Sequence, residues 1–164
     1  MKLDDVKDFK VLVVGDAIYD RYRFCDTLGR GTKESIISVK LQREETYAGG
    51  VWASAAHIKD LCRTVDIWHG ATATINTKYL GAYSQKLFSV HEAKEVATAF
   101  EPYIPSYDLV IVFDYGHGFI TNGLRDRIVK EAKYLAVNAQ SNSSNYGFNR
   151  VNEKWPHADF CVVD

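Results

Sequence analysis

The fold class of this 164-residue chain is predicted from one stretch, Lys10-Val11-Leu12-Val13-Val14-Gly15-Asp16-Ala17-Ile18-Tyr19-Asp20. Its four consecutive apolar residues are typical of a strand that is buried on both faces of a parallel sheet. Asp16 follows where this strand ends, and ligands of open α/β sheets bind outside the carboxyl ends of the strands. Asp16 and Asp20 are therefore candidates for hydrogen bonds to the hydroxyl groups of a ligand. The alternative is that Asp16 only caps a helix, since aspartate is a favoured capping residue.

A second signal lies in residues 46–62, where Gly49 and Gly50 precede an alanine-rich stretch. We predict a helix at about 51–62 that begins at this glycine pair. The backbone N–H groups at the start of such a helix are exposed, and a hydroxyl or a phosphate can approach them closely. The alternative is a tight turn whose alanines pack the helix against the sheet. The order and separation of the two signals are more specific than either signal alone.

The rest of the chain alternates between strand and helix patterns, which predicts a mostly parallel sheet flanked by helices. The segment at about 22–47 is polar and β-like, and we predict that it projects from the sheet as a small β flap. The further predicted elements are strands at 65–68, 108–113, 135–138 and 160–164, an antiparallel pair at 72–79 and 86–90, a helix at about 93–100, and a helix that starts at Thr121 and carries Leu124, Ile128, Ala132 and Leu135.

Polar residues stand at the ends of four predicted strands, namely Asp16, Asp114, Asn138 and Asp164. Since the carboxyl ends of parallel strands share one edge of a sheet, we expect these side chains to line that edge. Gly116 and His117 belong to the glycine-containing loop that follows Asp114. Gln140 begins a polar segment at 140–145 that is a candidate ligand-binding loop. The alternative for this segment is a solvated turn.

The composition is that of a globular protein, with 46% hydrophobic and 25% charged residues and a formal net charge of −1. This charge does not favour a nucleic-acid partner or an anionic membrane surface, and no apolar run approaches the roughly 20 residues that span a bilayer. The three cysteines lack metal-ligand spacing, and we predict no metal site. We expect one domain over residues 1–164, with reduced thiols and a cytoplasmic location.

Taken together, these segments resemble the ribokinase-type carbohydrate kinases, also called the phosphofructokinase B family. Within that family the match is closest to heptose-phosphate kinases and to the kinase halves of ADP-heptose synthase-like bifunctional proteins. The flap motif Gly29-Arg30-Gly31-Thr32-Lys33-Glu34-Ser35 is one part of the resemblance. The other parts are residues 13–20, 48–50, 86–88, 113–118 and 137–142, so that the resemblance covers nearly the whole chain.

The resemblance implies a Rossmann-like α/β core with a small β lid that often pairs with the lid of a second subunit. It implies that the chain is an ATP-dependent kinase of a sugar or sugar phosphate, with ATP and Mg²⁺ as cofactors and a homodimer formed through the flap. Asp16 then matches the aspartate that holds sugar hydroxyls, and the glycine pair lies beneath the sugar. The implied substrate-binding residues are Asp16, Asp20, Lys33, Gly49, Gly50, Asp114, Gly116, Asn138 and Gln140.

The chain also departs from this family. The catalytic aspartate of these kinases lies in a Gly-Ala-Gly-Asp motif at a helix N-terminus, and no Gly-x-Gly-Asp motif occurs here. The segment between Trp68 and Thr72 is shorter than a strand–helix unit of the family. We therefore expect an incomplete ribokinase-like domain that binds no ATP or Mg²⁺ tightly and transfers no phosphate at a normal kinase rate, with its catalytic residue unassigned.

Two other functions remain open at this point. The chain could be a non-catalytic remnant of such a kinase that retains a sugar pocket or a dimerising flap. An unrelated dinucleotide-binding enzyme is weakly supported, because the turn after Gly15 lacks the further glycines that admit a pyrophosphate.

Overall fold

The computed structural model describes residues 3–31, 33–92, 100–140 and 151–163. Within these ranges the chain forms the strands β1 (Lys10–Gly15), β2 (Ala17–Arg30), β3 (Ile37–Gly50), β4 (Thr64–Trp68), β5 (Thr74–Leu80), β6 (Lys86–Glu92), β7 (Leu109–Asp114), β8 (Leu135–Ala139) and β9 (Phe160–Val163). The α-helices are α1 (Val51–Lys59), α2 (Asn122–Glu131) and α3 (Val151–Lys154).

A five-stranded sheet with the order β4-β1-β7-β8-β9 forms the core, and all its strand pairs are parallel. Apolar side chains cover both faces of β1, an inner strand between β4 and β7, so that Val11, Leu12, Val13 and Val14 are fully buried. This agrees with the continuous apolar run of β1, since a strand covered on both sides has no polar face. The predicted class, a mostly parallel Rossmann-like sheet flanked by helices, is confirmed.

The two faces of this sheet have separate apolar clusters. On one face, Leu12, Val110 and Val137 pack with residues of α2 and with Trp155. On the other face, Val11 and Val13 pack against α1 through Val51 and Ala55. The alanines of α1 allow this helix to lie close to the sheet, as the sequence suggested.

The β flap is larger than predicted. It is a second, four-stranded sheet with the order β3-β2-β5-β6, and we call this sheet the lid. Its long hairpin, β2 and β3, begins directly after Asp16 and ends at Gly50. The predicted antiparallel pair exists as β5 and β6, but β5 joins the lid by pairing in parallel with β2. Sequence patterns predicted the strands, but not the sheet to which they belong.

Several element boundaries differ from the prediction. The first helix ends at Lys59 rather than near residue 62, and Leu135 is the first residue of β8 rather than part of α2. Thr121 is the N-cap of α2, as predicted, and its hydroxyl accepts a hydrogen bond from the N–H of Leu124 at 3.2 Å. The predicted helix at 93–100 and the strand-end residue Asp164 lie outside the described residues, apart from Phe100.

The cysteines Cys25, Cys62 and Cys161 are free thiols, as expected. In the ranges that the structure describes, no helix combines the length and the apolar character needed to cross a membrane.

Candidate functional site

A polar cavity of about 270 Å³ lies where the lid meets the carboxyl ends of the core strands. We call it the lid-base cavity. The lid and the lid–helix junction contribute Ile18, Asp20, Gly50, Asn76, Lys78 and His91, whereas the core sheet's loops contribute Tyr115, His117 and Gln140. The cavity therefore combines the two parts of the fold.

A row of three polar side chains crosses the lid at the floor of this cavity. Asp20 on β2 is the register partner of Asn76 on β5, which in turn is the partner of His91 on β6. The side-chain amide of Asn76 donates to Asp20 Oδ1 at 3.3 Å. Because residues directly opposite one another in a sheet have neighbouring side chains, this register sets the geometry of the row.

Lys78 neutralises Asp20 in this row. Its Nζ lies 2.8 Å from Asp20 Oδ1 and 3.2 Å from the hydroxyl of Tyr22. Burial lowers the pKa of Lys78, but the hydrogen bonds with Asp20 and Tyr22 outweigh burial, and the pKa is raised overall. Burial also lowers the pKa of His117, which favours its uncharged form. Lys78 and His117 therefore bring no excess positive charge to the cavity.

Three polar atoms of the cavity residues lack a hydrogen-bond partner among the described residues. They are Asp20 Oδ2, Asn76 Oδ1 and His117 Nδ1, and the last two are shielded from solvent. A buried polar atom without a partner costs about 1–3 kcal/mol. Carboxylate and amide oxygens are acceptors, and a neutral imidazole nitrogen is one when its proton is on the other nitrogen. The cavity is thus suited to a ligand that donates hydrogen bonds.

Asp16 does not line the cavity, in contrast to the expectation from the sequence. It is only 3% exposed, and its carboxylate accepts hydrogen bonds from the backbone N–H groups of Tyr115 (3.0 Å), His117 (3.2 Å) and Phe119 (3.2 Å). Burial raises the pKa of Asp16, although the interactions with His117 and Phe119 oppose this shift. Asp16 therefore positions the loop that carries His117, and Asp20 is the aspartate that faces the cavity.

Asp114 holds the same loop from its other side. It is fully buried, and its carboxylate accepts hydrogen bonds from the N–H of Gly116 at 3.1 Å and from the indole of Trp155 at 2.8 Å. Lys154 Nζ lies 2.9 Å from Oδ1 and 2.8 Å from Oδ2. Gly116 has a φ of 74°, which explains why glycine stands there. Asp114 and Gly116 thus shape the loop, and neither lines the cavity.

The glycine pair lies at the boundary between the lid and α1. A Cβ atom on Gly49 would lie 2.5 Å from Asp20 Oδ2, so only glycine leaves room for that carboxylate. Gly50 lines the cavity and caps α1 with a φ of 58°. A Cβ atom there would lie 2.3 Å from the carbonyl oxygen of Asp16. The pair therefore permits a close approach of the Asp16 backbone and makes space for Asp20, whereas the predicted approach of a ligand to this helix start stays a prediction.

Of the remaining predicted site residues, one lines the cavity and two lie elsewhere. Gln140 lines the cavity, and its backbone N–H donates to the carbonyl of Asp114 at 2.9 Å. Asn138 lies elsewhere, on the sheet face that it shares with Phe113 and Phe160. This is because the last residue of β8 is Ala139, so Asn138 is inside the strand rather than at its end. Lys33 is exposed in the turn between β2 and β3 and does not line the cavity.

The sequence analysis missed Asn76, Lys78 and His91. Asn76 and Lys78 alternate with Ile75 and Thr77, and this alternation places them on one face of a predicted strand. The missing information was the parallel pairing of β5 with β2, which brings Asn76 opposite Asp20. His117 was noted only as part of a loop.

The donor set does not fit the expected Mg²⁺. Among the described residues no group of three or more His, Cys, Asp or Glu side chains is arranged to hold a metal ion. The carboxylates nearest to the cavity are already hydrogen-bonded to N–H groups, namely Asp16 to three backbone amides and Asp20 to Asn76 and Lys78. We therefore derive no step through Mg²⁺ or ATP at this site.

Neither family models nor curated proteins match this sequence, but solved structures match its fold. A microbiome-derived acarbose kinase superposes with a TM-score of 0.51 at 13% identity, over 95% of this chain and 61% of that one. The fold is ribokinase-like. A ribokinase from Arabidopsis thaliana, solved with ribose and ATP, has a TM-score of 0.49 at 14% identity and is matched over 80% of this chain and 54% of its own.

A carbohydrate kinase from Agrobacterium tumefaciens has a TM-score of 0.47 at 15% identity, over 81% of this chain and 54% of that one. At 13% identity, the similarity to the acarbose kinase establishes the fold and not the activity. The chain spans between 54% and 61% of the length of these three structures.

Proposed function

We propose that this chain binds a sugar or another polyol in the lid-base cavity, as the substrate-binding part of a ribokinase-like sugar kinase. The observation that carries the proposal is the set of unpartnered atoms Asp20 Oδ2, Asn76 Oδ1 and His117 Nδ1. Hydroxyl groups of a polyol donate hydrogen bonds to such atoms. Small rotations of Asn76 and His117 bring their shielded atoms to the ligand. The ribokinase-like fold supports the same class of ligand.

The charge balance of the cavity favours a ligand whose bound end is uncharged. Lys78 is paired with Asp20, and burial favours the uncharged form of His117. A phosphate group would have to separate Lys78 from Asp20 to gain an ion pair. A heptose phosphate, the substrate expected from the resemblance, fits if its hydroxyl end occupies the cavity. Its phosphate then needs other cations, and Lys33 does not supply one, because it lies at the far end of the lid hairpin, roughly 30 Å from Asp20 at about 3.3 Å per strand residue.

Positioning residues complete the proposed site. Asp16 and Asp114 hold the loop that carries His117, and Gly49 leaves space for the Asp20 carboxylate. Asn138 and Lys33 are predicted contacts for which the geometry offers no support. We assign no residue to phosphoryl transfer, and the prediction that these 164 residues transfer no phosphate at a normal kinase rate stands. The proposed location is cytoplasmic.

Replacing Asp20 by asparagine should weaken sugar binding at least about tenfold, since a charge-assisted hydrogen bond contributes about 1.5–3 kcal/mol. The substitution also separates Lys78 from its counter-ion. We would titrate pentoses, hexoses, heptoses and their phosphates against ¹⁵N-labelled protein and follow the amide of Gly50. The matched control is Asp26→Asn, because Asp26 is an exposed residue on the same strand, outside the cavity.

The control variant should bind like the unchanged protein. Equal affinities for Asp20→Asn and the unchanged protein would refute the proposed site, as would the absence of saturable shifts with every sugar tested. Selective binding of a heptose phosphate over the other sugars and sugar phosphates would support the more specific substrate.

Dimerisation through the lid is a second function, and the exposed apolar surface of the lid favours it. Five large apolar or aromatic side chains of the lid hairpin are at least half exposed, namely Leu28, Ile36, Ile37, Leu41 and Tyr47. Small projecting sheets with an uncovered apolar surface favour pairing with another chain. We therefore propose a homodimer formed through the lid.

Light scattering at several protein concentrations tests the dimer. Ile37→Asp should shift the protein towards a monomer, because it places a charge in an apolar contact. Lys40→Asp, an exposed charge reversal on the same strand, should leave the mass unchanged. A monomer at all concentrations would reject the dimer, and a dimer that is insensitive to Ile37→Asp would place the interface outside this part of the lid.

A further inference from the structure

The row of side chains at the floor of the lid-base cavity continues on β3, an edge strand of the lid. Tyr47 on β3 is the register partner of Asp20, on the side opposite to Asn76. Register partners have neighbouring side chains on one face of a sheet, so Tyr47 lies on the same face as the cavity residues. Tyr47 does not line the cavity itself, and it is 55% exposed. It therefore lies beside the cavity, where this face of the lid is open to solvent.

The free oxygen of Asp20 points towards the same edge of the lid. Oδ1 is hydrogen-bonded to Asn76 and Lys78 of β5, whereas Oδ2 has no partner among the described residues. Oδ2 lies 2.5 Å from the position that a Cβ atom of Gly49 would occupy. Gly49 belongs to β3 and is two residues from Tyr47, so both lie on one face of this strand. A ligand hydroxyl that binds Oδ2 therefore brings the ligand towards β3 and Tyr47.

Two contacts hold the ring of Tyr47 in place, although much of the side chain is exposed. Its hydroxyl donates to Glu45 Oε2 at 2.8 Å, and its ring centroid lies 5.9 Å from that of Tyr22 in an edge contact. Glu45 is in turn paired with Arg43. A rigid aromatic side chain loses little conformational entropy when a ligand packs on it. The ring of Tyr47 is thus a preformed apolar surface next to a polar cavity.

We propose that Tyr47 determines the specificity of the lid-base cavity and that the ligand is a glycoside rather than a free sugar. The sugar unit occupies the cavity, and the group that is attached to it packs on the ring of Tyr47. An aryl group and the carbon-bound hydrogens of a second sugar both present an apolar surface that fits an aromatic ring. Tyr47 lies outside the cavity that the sugar unit fills, which favours such an attached group. This inference rests on the proposed function and deepens it.

A comparison of phenyl and methyl glycosides isolates the contact with Tyr47, because both lack the anomeric hydroxyl and only one carries a ring. We would titrate each pentose, hexose and heptose in both forms against ¹⁵N-labelled protein and follow the amide of Gly49. For the sugar that binds in the cavity, the phenyl glycoside should bind about three- to tenfold more tightly, the range for one aromatic pair. Its phenyl proton resonances should also move upfield, since they lie over the ring of Tyr47.

Disaccharides that carry the same sugar at their non-reducing end distinguish the two kinds of attached group. Tighter binding of both the disaccharide and the phenyl glycoside than of the methyl glycoside would assign the site to glycosides in general. Tighter binding of the phenyl glycoside alone would assign it to aryl glycosides.

Three variants test the residue. Tyr47→Leu should remove the preference and the upfield shift, and it should change the affinity for the methyl glycoside by less than about twofold, as expected for a site that the smaller ligand does not touch. Tyr47→Phe keeps the ring and should retain the preference. Tyr83→Leu is the matched control, because it is the same substitution at an exposed lid position between β5 and β6, outside the cavity, and it should also retain the preference.

Equal affinities for the phenyl and methyl glycosides of a sugar that binds in the cavity would overturn this inference and leave the proposed function standing. The absence of binding by every sugar and glycoside would overturn both. A preference that survives Tyr47→Leu would place the contact at another residue and reject the role of Tyr47. A loss of preference that comes with a lower mass in light scattering would reject it too, because Tyr47 would then act through a subunit contact of the lid.

Discussion

Gly15→Ala should prevent stable folding or lower the free energy of unfolding by more than about 3 kcal/mol, the upper part of the range for overpacked cores. A Cβ atom at this position would lie 2.3 Å from the carbonyl oxygen of Phe113 and 3.1 Å from its Cβ. Gly15 and Phe113 are register partners in β1 and β7, at the centre of the core sheet. The backbone of β7 cannot move away without breaking hydrogen bonds to its neighbours on both sides.

Urea unfolding followed by circular dichroism measures this effect. Gly123→Ala is the matched control, since it is the same substitution at a position with no atom within 4 Å. In an exposed helical position it should leave the protein equally stable or raise its stability by up to about 1 kcal/mol. Equal unfolding midpoints for the two variants would show that the close approach of β1 and β7 does not exclude a side chain at residue 15.

Lys154→Met should lower the free energy of unfolding by about 3–5 kcal/mol, because it removes the ion pair that Lys154 forms with the fully buried Asp114 carboxylate. The hydrogen bonds from Gly116 and Trp155 remain, but they do not neutralise the charge. Since the same carboxylate shapes the loop that carries His117, the variant should also weaken binding in the lid-base cavity.

Lys133→Met is the control for this prediction. Lys133 and Asp108 are about half exposed and 3.4 Å apart, so losing this pair should change stability by less than about 1 kcal/mol. Adding Asp114→Asn to Lys154→Met removes the buried negative charge and should restore part of the lost stability. If Lys154→Met is no more destabilising than Lys133→Met, the buried pair does not hold α3 to the end of β7.

The site could be predicted from the sequence only in part. Asp20, Gly50 and Gln140, which strand and turn signals in the sequence marked as candidate ligand-binding residues, line the lid-base cavity. Asp16 was assigned to the ligand because it directly follows a buried strand. Three backbone N–H groups from residues about 100 positions away occupy its carboxylate instead. No local pattern contains such long-range hydrogen bonds.

The parallel core sheet, the glycine pair at the start of α1 and the presence of β5 and β6 could be predicted from sequence patterns. These features depend on local properties, namely continuous apolar runs, turn residues and alternation, which act over a few neighbouring residues. The pairing of β5 with β2, which places Asn76 opposite Asp20, is visible only in the folded chain. Strands of similar pattern lie far apart in the sequence, and local signals do not distinguish between them as partners. Which of them pair depends on contacts that form only when the whole chain packs.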